Sequence, residues 1–149
     1  MKKIMLVWAL VLTVGIGSSF ARPTENVSQQ AINAFKKDFA SAQDVNWEIN
    51  KETAKATFSI SGQVMFAYYS QAGELLAVTR NIVSTQLPIN LMADIKKEYN
   101  QYWISDLFEM ASNNNTAYYI TLQNGDQTVV LKSNGSAGWE VFQKVKKAV

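Results

Sequence analysis

Histidine and cysteine, the residues behind most nucleophilic and transition-metal chemistry, are absent from all 149 positions of this chain. Without them neither a Ser-His-Asp nor a Cys-His nucleophile can be assembled, and the usual zinc and copper ligand sets fall away. Acid and base work is left to carboxylates. Glu48 with Glu52, or Asp106 with Glu109, has the residue types for an acid and base pair. An odd separation along a strand puts Asp106 and Glu109 on opposite faces, and Glu52 falls in a turn, so ordinary solvated charge is the stronger reading of all four. No Asp-rich loop has EF-hand spacing. Gly15-x-Gly17 opens no strand-to-helix unit and there is no P-loop, so no phosphate cradle is indicated. No catalytic residue, metal or cofactor is expected, and the chain reads as a non-enzyme.

The aromatic residues carry more information. Trp47 alternates with Val45 and Ile49 and is expected in the core. A two-residue turn at Gly62-Gln63 would pair Ser61 with Val64, putting Phe58 and Ile60 with Met65, Ala67 and Tyr69 on one face and leaving Phe66 and Tyr68 outward. A three-residue turn at Gln71-Ala72-Gly73 would then add Leu76, Val78 and Arg80 to that outward face. Around Asn124-Gly125, Tyr118, Ile120, Leu122, Val129 and Leu131 share a face, and Tyr119 looks outward between Thr121 and Gln123. Phe66, Tyr68, Val78, Arg80 and Tyr119 are therefore the candidate partner-binding residues, the apolar ones as anchors and Arg80 as a charged rim. A register slipped by one residue would return these side chains to the core.

The elements that must hold these residues follow from periodicity. Val27, Ala31, Ile32, Phe35 and Phe39 recur at helical spacing between Asn26 and Ala40, with Asn26 or Ser28 as the cap. Strand-like runs come next at Val45 to Ile49, Lys55 to Ser61, Val64 to Ser70 and Glu74 to Val83. Pro88 then opens a second helix striped by Leu91, Met92, Ile95 and Tyr99. Four more runs lie at Trp103 to Met110, Ala117 to Gln123, Gln127 to Ser133 and Trp139 to Val145, with Asn124-Gly125 the strongest hairpin signal. Each half, about 28–83 and about 88–146, reads as one helix and up to four strands, which points to a tandem repeat. The economical architecture is α+β: a mostly antiparallel sheet with both helices on one face and the other face open.

The N-terminus has the layout of a secretory signal. Lys2 and Lys3 precede an apolar run from Ile4 to about Ile16, and small residues lead to Ser19-Phe20-Ala21. Cleavage is expected after Ala21, giving a signal peptide at 1–21 and a single domain at 22–149. The apolar run is shorter than the roughly 20 residues that span a membrane, so no membrane span is expected after cleavage. Setting aside Lys2 and Lys3, the 14 basic residues fall to 12 against 12 acidic ones. That balance leaves no basic excess for phosphates, and nucleic acid is not an expected partner. Lys144, Lys146 and Lys147 read as a solubilising end.

Asp44-Val45-Asn46-Trp47-Glu48, the Gly73-Glu74-Leu75-Leu76 turn and Leu87-Pro88, in this order of elements, resemble the PepSY-like, or beta-lactamase-inhibitor-like (BLIP-like), exported proteins of Bacteroides-type bacteria. The resemblance spans about residues 28 to 146 and implies tandem repeats forming a curved sheet in a periplasmic or secreted protein. It also implies restraint of a secreted enzyme through the sheet face, as an analogy of fold. The function expected is recognition of an exported protein or peptide through the open sheet face. The alternatives are a small apolar ligand or envelope glycan held on Trp and Tyr rings, and, ranked below it, an enzyme using carboxylates alone.

Overall fold

A computed structural model describes residues 27–148. The expected signal peptide lies outside the described residues. The order of elements is α1 (Gln29–Asp38), β1 (Gln43–Asn50), β2 (Thr53–Ile60), β3 (Gln63–Ser70), β4 (Leu75–Asn81), a short 3-10 turn, α2 (Ile89–Glu98), β5 (Trp103–Ser112), β6 (Asn115–Gln123), β7 (Gln127–Ser133) and β8 (Glu140–Lys146). All eight strands join one antiparallel sheet in chain order, so β1 and β8 are its edges.

Ser28 begins α1 as expected: its hydroxyl accepts the Ala31 amide at 3.1 Å, satisfying a donor that the first turn leaves free. The stripe it carries buries Ala31 and Phe35, and Phe35 stands edge-on to both Trp47 and Phe58, with ring centroids 5.3 and 5.0 Å away. Ala54, Ala56 and Ala67 are fully buried in the same cluster. Three alanines in paired strands leave the volume that these large rings fill. Tyr69 ends the cluster; its buried hydroxyl donates to Asp38 at 2.8 Å, and burial together with that carboxylate pushes the phenol far above its ordinary pKa. Val45 and Ile49 share the alternation of Trp47 yet stay 41% and 37% exposed. Their strand is an edge, and the larger Trp side chain reaches the α1 cluster.

The second helix buries Leu91 and Ile95, with Pro88 as its cap residue. Ile95 packs with Leu107, Ile120, Leu122, Val129 and Leu131. Trp139 closes this cluster by donating its indole N–H to the Leu91 carbonyl at 2.9 Å.

The turns show where sequence signals and backbone part. The β2–β3 hairpin turns on Ser61-Gly62, both at positive φ (50° and 80°), with Ile60 paired to Gln63. This places Gly62 second in the turn, where the Gly62-Gln63 signal predicts it first. Both turns have two residues, so the side-chain alternation is unchanged. Asn113 and Asn114 likewise adopt φ of 48° and 63° and join β5 to β6. At Asn124-Gly125 the asparagine works through its side chain, whose oxygen accepts the amides of Asp126 and Gln127 at 2.9 Å each, and glycine's freedom is unused.

Candidate functional site

Strand pairing defines two sides of the sheet. Lys55 lies opposite Tyr68 and Thr57 opposite Phe66; across the next pair Phe66 meets Thr79 and Tyr68 meets Ala77. Continuing, Thr79 meets Met110 and Asn81 meets Phe108, then Phe108 meets Tyr119, and Tyr119 meets Lys132. These residues form the Phe66 side. Ala67, Val78, Ala111 and Glu109 belong to the opposite side.

On the Phe66 side Ala77, Met110 and Tyr119 are buried in a third apolar cluster, against which Tyr68, Phe108, Ala117 and Phe142 pack. The cluster contains no helix residue. Phe108 stacks on Tyr119 with planes 10° apart and centroids 5.0 Å apart, and Phe142 meets Tyr119 edge-on at 5.6 Å. Two ammonium groups cap the strip: Lys132 lies 5.6 Å from the Tyr119 ring and Lys55 lies 4.9 Å from the Phe66 ring. Lys55 also pairs with Glu48 at 3.4 Å. Burial pushes the Tyr68 phenol above its ordinary pKa, partly countered by a hydrogen bond with Thr79.

The structure treats the five candidate residues differently. Phe66 and Tyr68 are half-buried on this side, in the alternation read from the sequence. Tyr119 is on this side too, but only 3% exposed: the flanking rings of Phe108 and Phe142 make it the floor of the strip, correcting the expectation that it looks outward. Val78 and Arg80 stand on the opposite side. The Ser70 amide does bond to the Glu74 carbonyl at 2.9 Å, as the three-residue turn requires. Tyr69 then pairs with Leu75 but Tyr68 with Ala77, so Leu76 is an extra bulge residue that reverses everything after it. Val78 packs into the α1 cluster. Arg80 forms an ion pair with Glu109, its Nε and Nη2 atoms 2.7 and 2.6 Å from one carboxylate oxygen.

Met110, Phe108 and Phe142 belong to the strip and were missed. Alternation along Trp103 to Met110 groups Phe108 with Met110, so that signal was present. Phe142 is the extra residue where β8 slips against β7, and composition does not mark it. Asp106 and Glu109 lie on opposite sides, opposite Thr121 and Tyr118 respectively, so they do not converge. Among the described residues no group of three or more acidic side chains is arranged to hold a metal ion.

The described residues form an α+β fold of one eight-stranded antiparallel sheet and two helices, and solved structures from Bacteroides, a BLIP-like protein among them, share that fold. A DUF2874 family protein from Bacteroides ovatus superposes with a TM-score of 0.70 at 12% identity, covering 79% of this chain and 86% of that one. A BLIP-like protein from Bacteroides fragilis gives 0.68 at 19% identity, covering 80% and 85%. A candidate periplasmic protein from Bacteroides eggerthii gives 0.70 at 12% identity, covering 80% and 88%. At these identities the likeness is one of fold. No family model and no curated protein matches the sequence.

Proposed function

We propose that this chain is an exported, non-enzymatic domain that binds a protein or peptide on the Phe66 side of its sheet. In this reading residues 1–21 are the signal peptide, 22–149 one domain of two repeats, and both helices cover the Ala67 side. The observation that carries it is the helix-free third cluster. A sheet side packed with Phe66, Tyr68, Phe108 and Phe142, each half-buried, keeps aromatic surface in reach of a partner. Phe66 and Tyr68 are the anchors, joined by Phe108 and Phe142, with Tyr119 as the floor. Val78 and Arg80 are withdrawn from the site.

Location in the periplasm or outside the cell is supported by the signal layout of the first 21 residues and by the Bacteroides eggerthii neighbour. Among the described residues no helix is long and apolar enough to cross a membrane. Inhibition of an exported enzyme is the form of binding that the BLIP-like neighbour's name supports.

The test is capture of envelope and secreted proteins of the native organism on immobilised protein, beside a Phe66→Ser, Tyr68→Ser double variant whose fold is checked by circular dichroism. A partner retained by the natural chain should be held at least about tenfold more weakly by the variant, since buried aromatic anchors each contribute roughly 1–2 kcal/mol or more. Equal retention by both proteins would rule out this face.

A further inference from the structure

The two halves of the chain share their irregularities as well as their order of elements. Lys36-Lys37-Asp38 closes α1 and Lys96-Lys97-Glu98 closes α2, each followed by an aromatic residue. The carbonyls of those residues, Phe39 and Tyr99, accept the amides of Ala42 and Tyr102 at 3.0 Å each. The first strand of each half then holds one extra residue near its start, between Gln43 and Asn46 in β1 and at Ser105 in β5. The last strand of each half also holds one, Leu76 in β4 and Phe142 in β8. These landmarks match β1 to β5 at Asn46 and Asp106, and β4 to β8 at Leu76 and Phe142.

The matched strands differ in their neighbours. β4 pairs with β5 over four residues, from Val78 with Ala111 to Asn81 with Phe108, whereas β8 and β1 are the sheet edges. An edge leaves a row of backbone donors and acceptors open to another strand. Carrying the β4–β5 register over through the landmarks sets Lys147, Lys146 and Val145 of one copy against Glu48, Ile49 and Asn50 of another. The sides agree. Glu48 and Asn50 are on the Phe66 side, in line with Tyr68 and Ser70 through β2. Val145 is on that side through Thr128, Gln123 and Trp103, and the Lys147 ammonium lies 4.9 Å from the Trp103 ring. Ile49 and Lys146 are both on the other side, opposite Ala54 and Gln127. Ile49 and Val145 are exposed, and pairing would cover both, the aliphatic stem of Lys146 lying along Ile49. At Lys51, φ 52°, the chain leaves the strand and the ladder ends.

Charge and direction select the same junction. The end of β8 carries Lys144 and Lys146, followed by Lys147, and β1 carries Asp44 and Glu48. Two β8 edges, or two β1 edges, would bring like charges together, whereas β8 against β1 brings opposite ones. The eight strands alternate in direction, so a second β1 placed after β8 continues the alternation and keeps the Phe66 sides on one face.

We propose that a second copy of this chain docks its β1 edge on β8, head to tail, with Glu48 facing Lys147 across the junction. The register rests on the reading of the chain as two repeats, in which one half meets the next as β4 meets β5. The contact is heterologous, so every added copy leaves one edge of each kind open.

Sedimentation velocity of the purified protein at low salt, with backbone amide NMR at the same concentrations, tests the junction. The average mass should rise over about a hundredfold range of protein concentration without stopping at a dimer. The amides of Glu48, Ile49, Val145 and Lys146 should shift in step, and added salt should reverse both changes. Glu48→Lys and Lys147→Glu should each weaken association at least about fivefold, since either puts like charges across the junction. An equal mixture of the two variants should associate as the natural chain does, because each supplies the charge the other lacks. That recovery also shows both variants to be folded. The Phe66→Ser, Tyr68→Ser variant should associate unchanged. A single mass at every concentration overturns the junction and leaves binding on the Phe66 side and the two-repeat reading standing. Association that survives both single variants, a mixture that stays monomeric, or loss of association in folded Phe66→Ser, Tyr68→Ser protein would each overturn it as well.

Discussion

Gly73 shows how one residue type is dictated by two independent constraints. Its φ is 84°, in the region where a Cβ meets its own backbone, and a Cβ added there would stand 2.8 Å from the Gln30 carbonyl oxygen in the first turn of α1. The same turn is tied to that helix start by the Gln71 side chain, which accepts the Ser28 amide at 3.2 Å. Gly73→Ala should therefore destabilise the protein by about 2 to 3 kcal/mol, combining left-handed strain with overpacking against backbone. Gly125 has no such φ, and a Cβ there would meet nothing within 4 Å. Gly125→Ala should stay within about 0.5 kcal/mol of the natural chain. Urea midpoints of the two variants give the comparison, and equal midpoints would remove the special role of Gly73.

At the scale of elements, the helices and the existence of all eight strands are legible in the sequence because each is written locally. The Ala31, Phe35 stripe, the Ser28 cap and the Leu91, Ile95 stripe recur as the buried positions of α1 and α2. Faces are legible only between bulges. The alternation of Phe58, Ile60, Met65, Ala67 and Tyr69 survives because a two-residue turn joins their strands; Leu76, Ser105 and Phe142 each insert one residue and reverse or reset the alternation beyond it. A bulge has no composition of its own, so Val78 and Arg80 cannot be placed from spacing alone. Their observed side yields a prediction: Arg80→Met breaks only the pair with Glu109 across β4 and β5, where the side chains are 42% and 22% exposed. The cost should be about 1 kcal/mol or less in thermal unfolding, with partner capture unchanged. Capture lost in a folded Arg80→Met protein would put Arg80 back at the interface.

For the whole molecule the decisive feature is how the two helix-centred clusters are joined. The α1 cluster draws on β1 to β3, with Val78 of β4 packed against it, and the α2 cluster mainly on β5 to β7, so the pairing of β4 with β5 is the junction between them. The third cluster crosses that junction: Tyr68 and Ala77 come from one flank, Phe108, Met110, Tyr119 and Phe142 from the other. Packing shared across the junction should make the two halves unfold together, because neither can lose its strands without exposing the buried Met110 and Tyr119. Trp47 reports the first helix-centred cluster and Trp139 the second. In variants that keep only one of these tryptophans among residues 27–148, with the others changed to phenylalanine, fluorescence transitions in urea should share one midpoint. Met110→Ala should lower both midpoints together, at a cost of about 2 to 5 kcal/mol for a buried methionine truncated to alanine. If the Trp139 signal moved while the Trp47 signal stayed, the third cluster would be a local feature of the second half. The aromatic strip would then be a surface laid over independent repeats, and binding on the Phe66 side would stabilise one half without the other.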